Sequence, residues 1–161
     1  KITMNKTLTI ALVAHDNRKS DMITWSVKNA DFLSKHNIVC TGTTGTLIKE
    51  AFEAKGIRYN NIRCMHSGPI GGDTEIAAMV VRKEIDMAVF LIDDLNPQPH
   101  EADIQMLLRQ CRIHNIPIAC NQYSADLILS SPLWNDENYI PEHPTYVKFD
   151  REAFANKQKE K

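Results

Sequence analysis

A chain of 161 residues, 43% hydrophobic and 24% charged, is long enough for one domain with a substantial core and ordinary in composition for a globular protein. Its formal net charge of −1 gives no bulk attraction to nucleic acid or to an anionic membrane, and no apolar run approaches the ~18 residues of a membrane span. The N-terminal residues lack a signal-peptide apolar region, and Cys40, Cys64, Cys111 and Cys120 show no CxxC spacing, so reduced core thiols and a cytoplasmic location are expected. Residues 1–6 are expected to be disordered or tag-like.

Residues 7–14 read as a buried strand that ends at His15-Asp16-Asn17. A helix is expected over about 19–35, with Ile23, Val27 and Ala30 on one face. The apolar run Ile38-Val39-Cys40 is a second strand. It leads into Thr41-Gly42-Thr43-Thr44-Gly45, and then a helix ending near Gly56. A weak third strand lies around 62–65, and the loop His66-Ser67-Gly68-Pro69-Ile70-Gly71-Gly72-Asp73 opens the next helix. Residues 87–92 form the clearest strand, an unbroken apolar run of the kind found in the middle of a parallel sheet. The loop from Asp93 to His100 follows. The next helix carries Ile104, Leu107, Leu108 and Cys111 on one face. Residues 116–120 are a short last strand, 125–129 a short helix, and the chain from 131 is irregular, with a frayed polar tail over 151–161.

Strands alternate with helices, which predicts a single-domain three-layer α/β sandwich with a parallel sheet of about five strands over residues 7–150. Ligands of such sheets bind at the carboxyl ends of the strands. The polar residues gather there, and five of the six glycines lie in two of those loops. The threonine-glycine stretch after the second strand offers backbone N–H groups, three hydroxyls and a helix N-terminus, a cradle for phosphate or carboxylate. The same stretch also reads as a plain turn with Thr44 as N-cap. Lys19 lies four residues after His15 and suits a phosphate or open solvent. Asp73 at a helix start is a carboxylate held low by the helix end, or simply a cap. His100 and Asp103 share the first turn of a helix, where they could act together or form a surface pair. Asp16 could close a turn. GxxxxGK[ST], GxGxxG and GxSxG are all absent, and the histidines have no short metal-ligand spacing.

Together, Val13-Ala14-His15-Asp16 with Lys19, the Thr41–Gly45 stretch, Ser67-Gly68-Pro69-Ile70-Gly71-Gly72-Asp73, and Asp93 through Leu95-Asn96 to Pro99-His100 and Asp103 resemble the methylglyoxal synthase family. The resemblance runs from about Thr7 to Pro132. It implies conversion of dihydroxyacetone phosphate to methylglyoxal and inorganic phosphate, with neither metal nor organic cofactor, in a homohexamer. It also implies roles. Asp73 matches the catalytic base and His100 the histidine that polarises the carbonyl. Asp16, Asp93 and Asp103 match acidic residues around the reaction centre. His15, Lys19, Thr41, Gly42, Thr43, Thr44, Ser67 and Gly68 match substrate and phosphate contacts. Inorganic phosphate is implied as product or inhibitor. Two departures stand out. Arg151 is the one candidate for the family's C-terminal arginine, in surroundings that do not match, and Asp94 stands where proline is common. The other reading is a non-catalytic regulatory module that binds a phosphorylated effector.

Overall fold

Along the first strand, β1 (Thr9–Ala14), side chains alternate between two cores. Ile10, Leu12 and Ala14 enter one buried cluster, and Ala11 and Val13 the other. That two-residue period puts apolar groups on both faces, which is why the strand reads as a continuous apolar run. The computed structural model describes residues 6–161, so the expectation for the N-terminal segment lies, but for Lys6, outside the described residues.

Four more strands complete the sheet: β2 (Asn37–Thr41), β3 (Asn61–Met65), β4 (Met87–Leu91) and β5 (Ile118–Ala119). They pair in the order β3-β2-β1-β4-β5, and every pairing is parallel. Helices α1 (Lys19–Lys28), α2 (Ala30–Leu33), α3 (Gly42–Ala54) and α6 (Gln122–Leu129) cover one face through Met22, Trp25, Leu33, Ile48, Phe52 and Leu129. Helices α4 (Gly72–Val81) and α5 (Glu101–Ile113) cover the other through Ile76, Val80, Ile104, Leu107 and Cys111. Phe52 and Phe90, both fully buried, each contribute roughly 1.5–3 kcal/mol to this packing. The chain winds outward from β1 to β3 and then returns to the other side of β1. The crevice at that reversal opens at the carboxyl ends of β1 and β4.

The three-layer parallel sandwich is the expected architecture, with four local corrections. The helix expected over 19–35 is broken at Asn29 (φ −103°), whose side-chain amide donates to the Trp25 carbonyl while its own carbonyl accepts from Phe32 and Leu33. The tail expected to fray instead forms α7 (Arg151–Lys159), because the Asp150 carboxylate caps the Ala153 N–H and two lysines sit in the last turn. The last strand spans two residues rather than five. Of the four cysteines, Cys40 and Cys111 are buried, but Cys64 and Cys120 are exposed. β3 gave a weak sequence signal for a physical reason: it is an edge strand, with Ile62 as its one buried residue.

Candidate active site

A cavity of about 240 Å³ opens at the segments that follow β1, β2, β3 and β4. Each wall follows from a short piece of chain. β1 delivers His15, and the single 3-10 turn Asp16–Arg18 swings Lys19 back to the rim. β2 delivers Thr41, whose extended backbone (φ −75°, ψ 139°) caps α3. Thr41 is therefore the N-cap, not Thr44. Helix geometry leaves the N–H groups of Thr43 and Thr44 without intrahelical acceptors, so they remain for an anion. The Gly42 N–H does not join them, since it donates to the His66 carbonyl at 3.1 Å.

The glycines are explained mostly by contact. Only Gly71 among the loop glycines has a positive φ, 116°, and it caps α4. A Cβ on Gly45 would stand 2.5 Å from the Cys64 sulfur, and one on Gly72 would stand 2.0 Å from the His66 carbonyl oxygen. A Cβ on Gly68 would reach into the cavity itself, 3.2 Å from Asp73 Oδ1 and 3.3 Å from His100 Nε2. Gly68 keeps open the space in front of those two side chains.

Five buried polar atoms of residues that line this cavity have no hydrogen-bond partner: His15 Nε2, Thr44 Oγ1, both carboxylate oxygens of Asp73, and His100 Nδ1. Leaving even one buried group unpaired costs ~1–3 kcal/mol, so five around one cavity mark a place built for something else to satisfy them. His100 Nε2 lies 3.3 Å from Asp73 Oδ2, a close contact without hydrogen-bond geometry.

Electrostatics separates the groups. Burial pushes the Asp73 carboxyl above its usual value, an effect that His100 opposes and Asp103 reinforces. The expectation that the helix end holds Asp73 low is therefore overturned: at 1% exposure, desolvation outweighs the helix dipole. Burial lowers the His15 imidazole, as do His100 and Lys19, while Asp93 raises it. The Asp93 backbone N–H donates to His15 Nδ1 at 2.9 Å, so the neutral ring carries its proton on Nε2 and donates into the cavity.

Of the expected site residues, His15, Asp16, Lys19, Thr41, Thr43, Thr44, Ser67, Gly68, Asp73 and His100 line the cavity. Gly42, Asp93 and Asp103 do not. The Lys19 ammonium is fixed by Asp16 at 2.7 Å and by the Ala14 carbonyl at 3.1 Å, and Lys19 lowers the Asp16 carboxyl in turn. The Asp93 carboxylate accepts from Asn17 and Asn96 and from the Leu95 N–H, tying the loop after β4 to the loop after β1. Asp103 acts on Asp73 through its charge. Sequence reasoning missed Gln98, which lines the cavity from the loop after β4, and the loop ties Asn17 and Asn96. Their one signal was position, beside residues already singled out.

Known proteins share this arrangement of chain. Residues 21–120 match the family described as MGS-like domain. The methylglyoxal synthase of Treponema socranskii is 66% identical over 158 residues, which cover 98% of this chain and 99% of that one. That of Pseudoalteromonas atlantica is 44% identical over 83% of this chain and 97% of its own. The crystal structure of methylglyoxal synthase from Elizabethkingia anophelis NUHP1 superposes with a TM-score of 0.74 at 42% identity, covering 87% of this chain and 88% of that one. The family model matches more than half of the chain and the first of these relatives nearly all of it, and on that ground the chain belongs to the methylglyoxal synthase family.

Proposed function

We propose that the protein converts dihydroxyacetone phosphate to methylglyoxal and inorganic phosphate through an enediolate. The observation that carries the reading is the set of unpaired buried polar atoms around one cavity, with a base and a helix N-terminus in the same wall. The amides of Thr43 and Thr44, the Thr44 hydroxyl and the Lys19 ammonium take the phosphate. Asp73 then takes a proton from the hydroxymethyl carbon. Burial strengthens it as a base, as the weak acidity of that carbon requires. The electron pair moves toward the former ketone oxygen, which His100 and the His15 Nε2–H meet with donors already in place.

The second half of the reaction needs no further group. The hydroxyl oxygen on the first carbon re-forms a carbonyl, and the C=C pair shifts and expels phosphate. The hydroxyl proton balances the proton carried off by the phosphate. The enolate of methylglyoxal that remains ketonises by taking at its methylene carbon a proton equivalent to the one Asp73 removed, which restores the base. Expulsion is favoured when the C–O bond to phosphate stands perpendicular to the enediolate plane, a torsion that the cradle would hold. Asp16, Asp93 and Asp103 act around these groups: Asp16 fixes Lys19, Asp93 fixes the loop and the His15 tautomer, and Asp103 supports the basicity of Asp73.

A regulatory module needs only the cradle. Burying the Asp73 carboxylate without a partner costs stability that a pure binder has no reason to carry. The homohexamer rests on family resemblance and on large apolar side chains left exposed on the monomer, among them Leu95 (92%), Ile140 (81%) and Phe149 (71%). The cytoplasmic location is argued from the cysteines alone: none pairs with another, and Cys64 and Cys120 stand exposed, a pattern that suits a reducing compartment. The test is direct. Purified protein incubated with dihydroxyacetone phosphate should release phosphate and methylglyoxal in equal amounts, unaffected by a strong chelator. No phosphate above the uncatalysed rate refutes the reading.

A further inference from the structure

We infer that His66 and Glu75 form a latch that sets the phosphate cradle relative to Asp73, and so governs whether the enediolate expels phosphate or takes its proton back. The inference rests on the reaction proposed above. Neither residue lines the cavity.

His66 follows β3 and uses three of its four polar atoms on neighbouring helices. Its backbone N–H donates to Glu75 Oε1 at 3.0 Å, and its ring Nδ1 meets the same oxygen. Its carbonyl accepts the Gly42 N–H at the start of α3. Glu75 lies two residues beyond Asp73 on α4, and Gly42 immediately precedes Thr43 on α3. One residue therefore ties together the two helix N-termini that carry the base and the cradle. The fit leaves no slack, since α4 begins with Gly72 packed so closely on the His66 carbonyl that no Cβ could enter. The Ser67 carbonyl closes the loop by accepting from Ile70 and Gly72. The two bonds from His66 hold the Glu75 carboxyl below its usual range, assisted by Arg63, so it stays an ionised acceptor.

The two fates of the enediolate place different demands on this geometry. Reprotonation needs only the carbon and Asp73. Phosphate loss also needs the C–O bond held across the enediolate plane, and that depends on where α3 stands relative to α4. A latch that loosens lets the cradle drift and penalises the second fate more than the first. Both residues are substantially exposed, so their pairing contributes little to stability, and a melting temperature would not reveal this role.

The experiment follows the reaction in deuterated water and measures phosphate released against deuterium gained by recovered dihydroxyacetone phosphate. Glu75→Ala should raise the ratio of exchange to release by about tenfold, within the ~10²-fold that a 1 Å misplacement can cost. Glu75→Gln keeps an oxygen for the His66 N–H and should recover most of the parental ratio. His66→Leu removes the ring contact alone and should fall between, which also covers the case of a poorly folding Glu75→Ala. A folded Glu75→Ala or His66→Leu protein that slows both outcomes equally, or keeps the parental ratio, overturns the latch. A parent that releases no phosphate overturns the underlying reaction and the latch with it.

Discussion

Replacing Asp73 with asparagine should abolish turnover and yet leave the protein at least as stable as the parent. Asparagine keeps the size of the side chain and loses the base. A lost general base costs ~10²–10⁴-fold, or roughly 3–5 kcal/mol of activation free energy. The stability change has the opposite sign. Asp73 is 1% exposed, neither oxygen has a hydrogen-bond partner, and burial raises its pKa. A group whose pKa is raised on folding is favoured when protonated, so its contribution is present at low pH and lost as pH rises through the folded value. Near neutrality the ionised carboxylate costs stability, and Asp73→Asn removes that cost. The amide that replaces it is still an unpaired buried polar group, so the gain is the charge's share alone: at about 1 kcal/mol, the melting temperature should rise by roughly 2–4 °C in a chain of this size. The difference should shrink as pH falls toward and through the raised Asp73 value, where the parent also becomes neutral. The same raised value should set the acid limb of kcat/KM above the ordinary aspartate range. Paired melts and phosphate-release assays across pH test all of this. A folded Asp73→Asn protein with near-parental turnover, or one that melts several degrees lower at neutral pH, refutes the reasoning.

Further outcomes follow from the same contacts. Thr44→Val removes a buried hydroxyl that has no partner. It should leave the melting temperature unchanged or higher while weakening phosphoglycolate, measured by calorimetry, by about ten- to a hundredfold, the worth of a hydrogen bond to a charged group. Gly68→Ala places a methyl group 3.2–3.3 Å from Asp73 and His100, so steady-state kinetics should record a large loss of kcat/KM in a protein whose melting temperature stays near the parental value. Gly45→Ala drives a methyl group against the Cys64 sulfur and should cost about 1–3 kcal/mol in denaturant unfolding, with partial rescue by Cys64→Ala, since the Cys40 Cβ at 3.0 Å remains.

The sheet was legible because its central strands are apolar on both faces, and the loops were legible because polar residues gathered where parallel strands end. The pattern located His15, Thr44, Asp73 and His100 at one edge without saying how they would be held. Long-range contacts settled that. The carboxylate of Asp73 rises above its usual value because the fold surrounds it, whereas its position at a helix start alone argued for the reverse. Gly42 and Gly45 read as part of a turn before the helix and are in fact the first turn of α3, chosen for what presses on them from β2, β3 and the loop after β3. Asn29 breaks a helix that periodicity carries straight through, because its side chain binds the Trp25 carbonyl and Asp126. Asp93 lay among acidic residues expected around the reaction, but its partners Asn17, Asn96 and the His15 ring come from the wider fold.

The single hydrogen bond from the Asp93 amide to His15 also decides which molecules the cavity turns away. An imidazole free to exchange its proton between nitrogens would greet a hydroxyl, an ether or an amine with equal ease. Held as an Nε2 donor, it joins the Thr43 and Thr44 amides and the Lys19 ammonium in a lining rich in hydrogens, with Asp73 as its one carboxylate not already paired to a cation, since Asp16 holds Lys19. Such a lining suits a small ligand dense in oxygen. An analogue bearing an ammonium group in place of the ketone would press one donor against another at the His15 side of that wall.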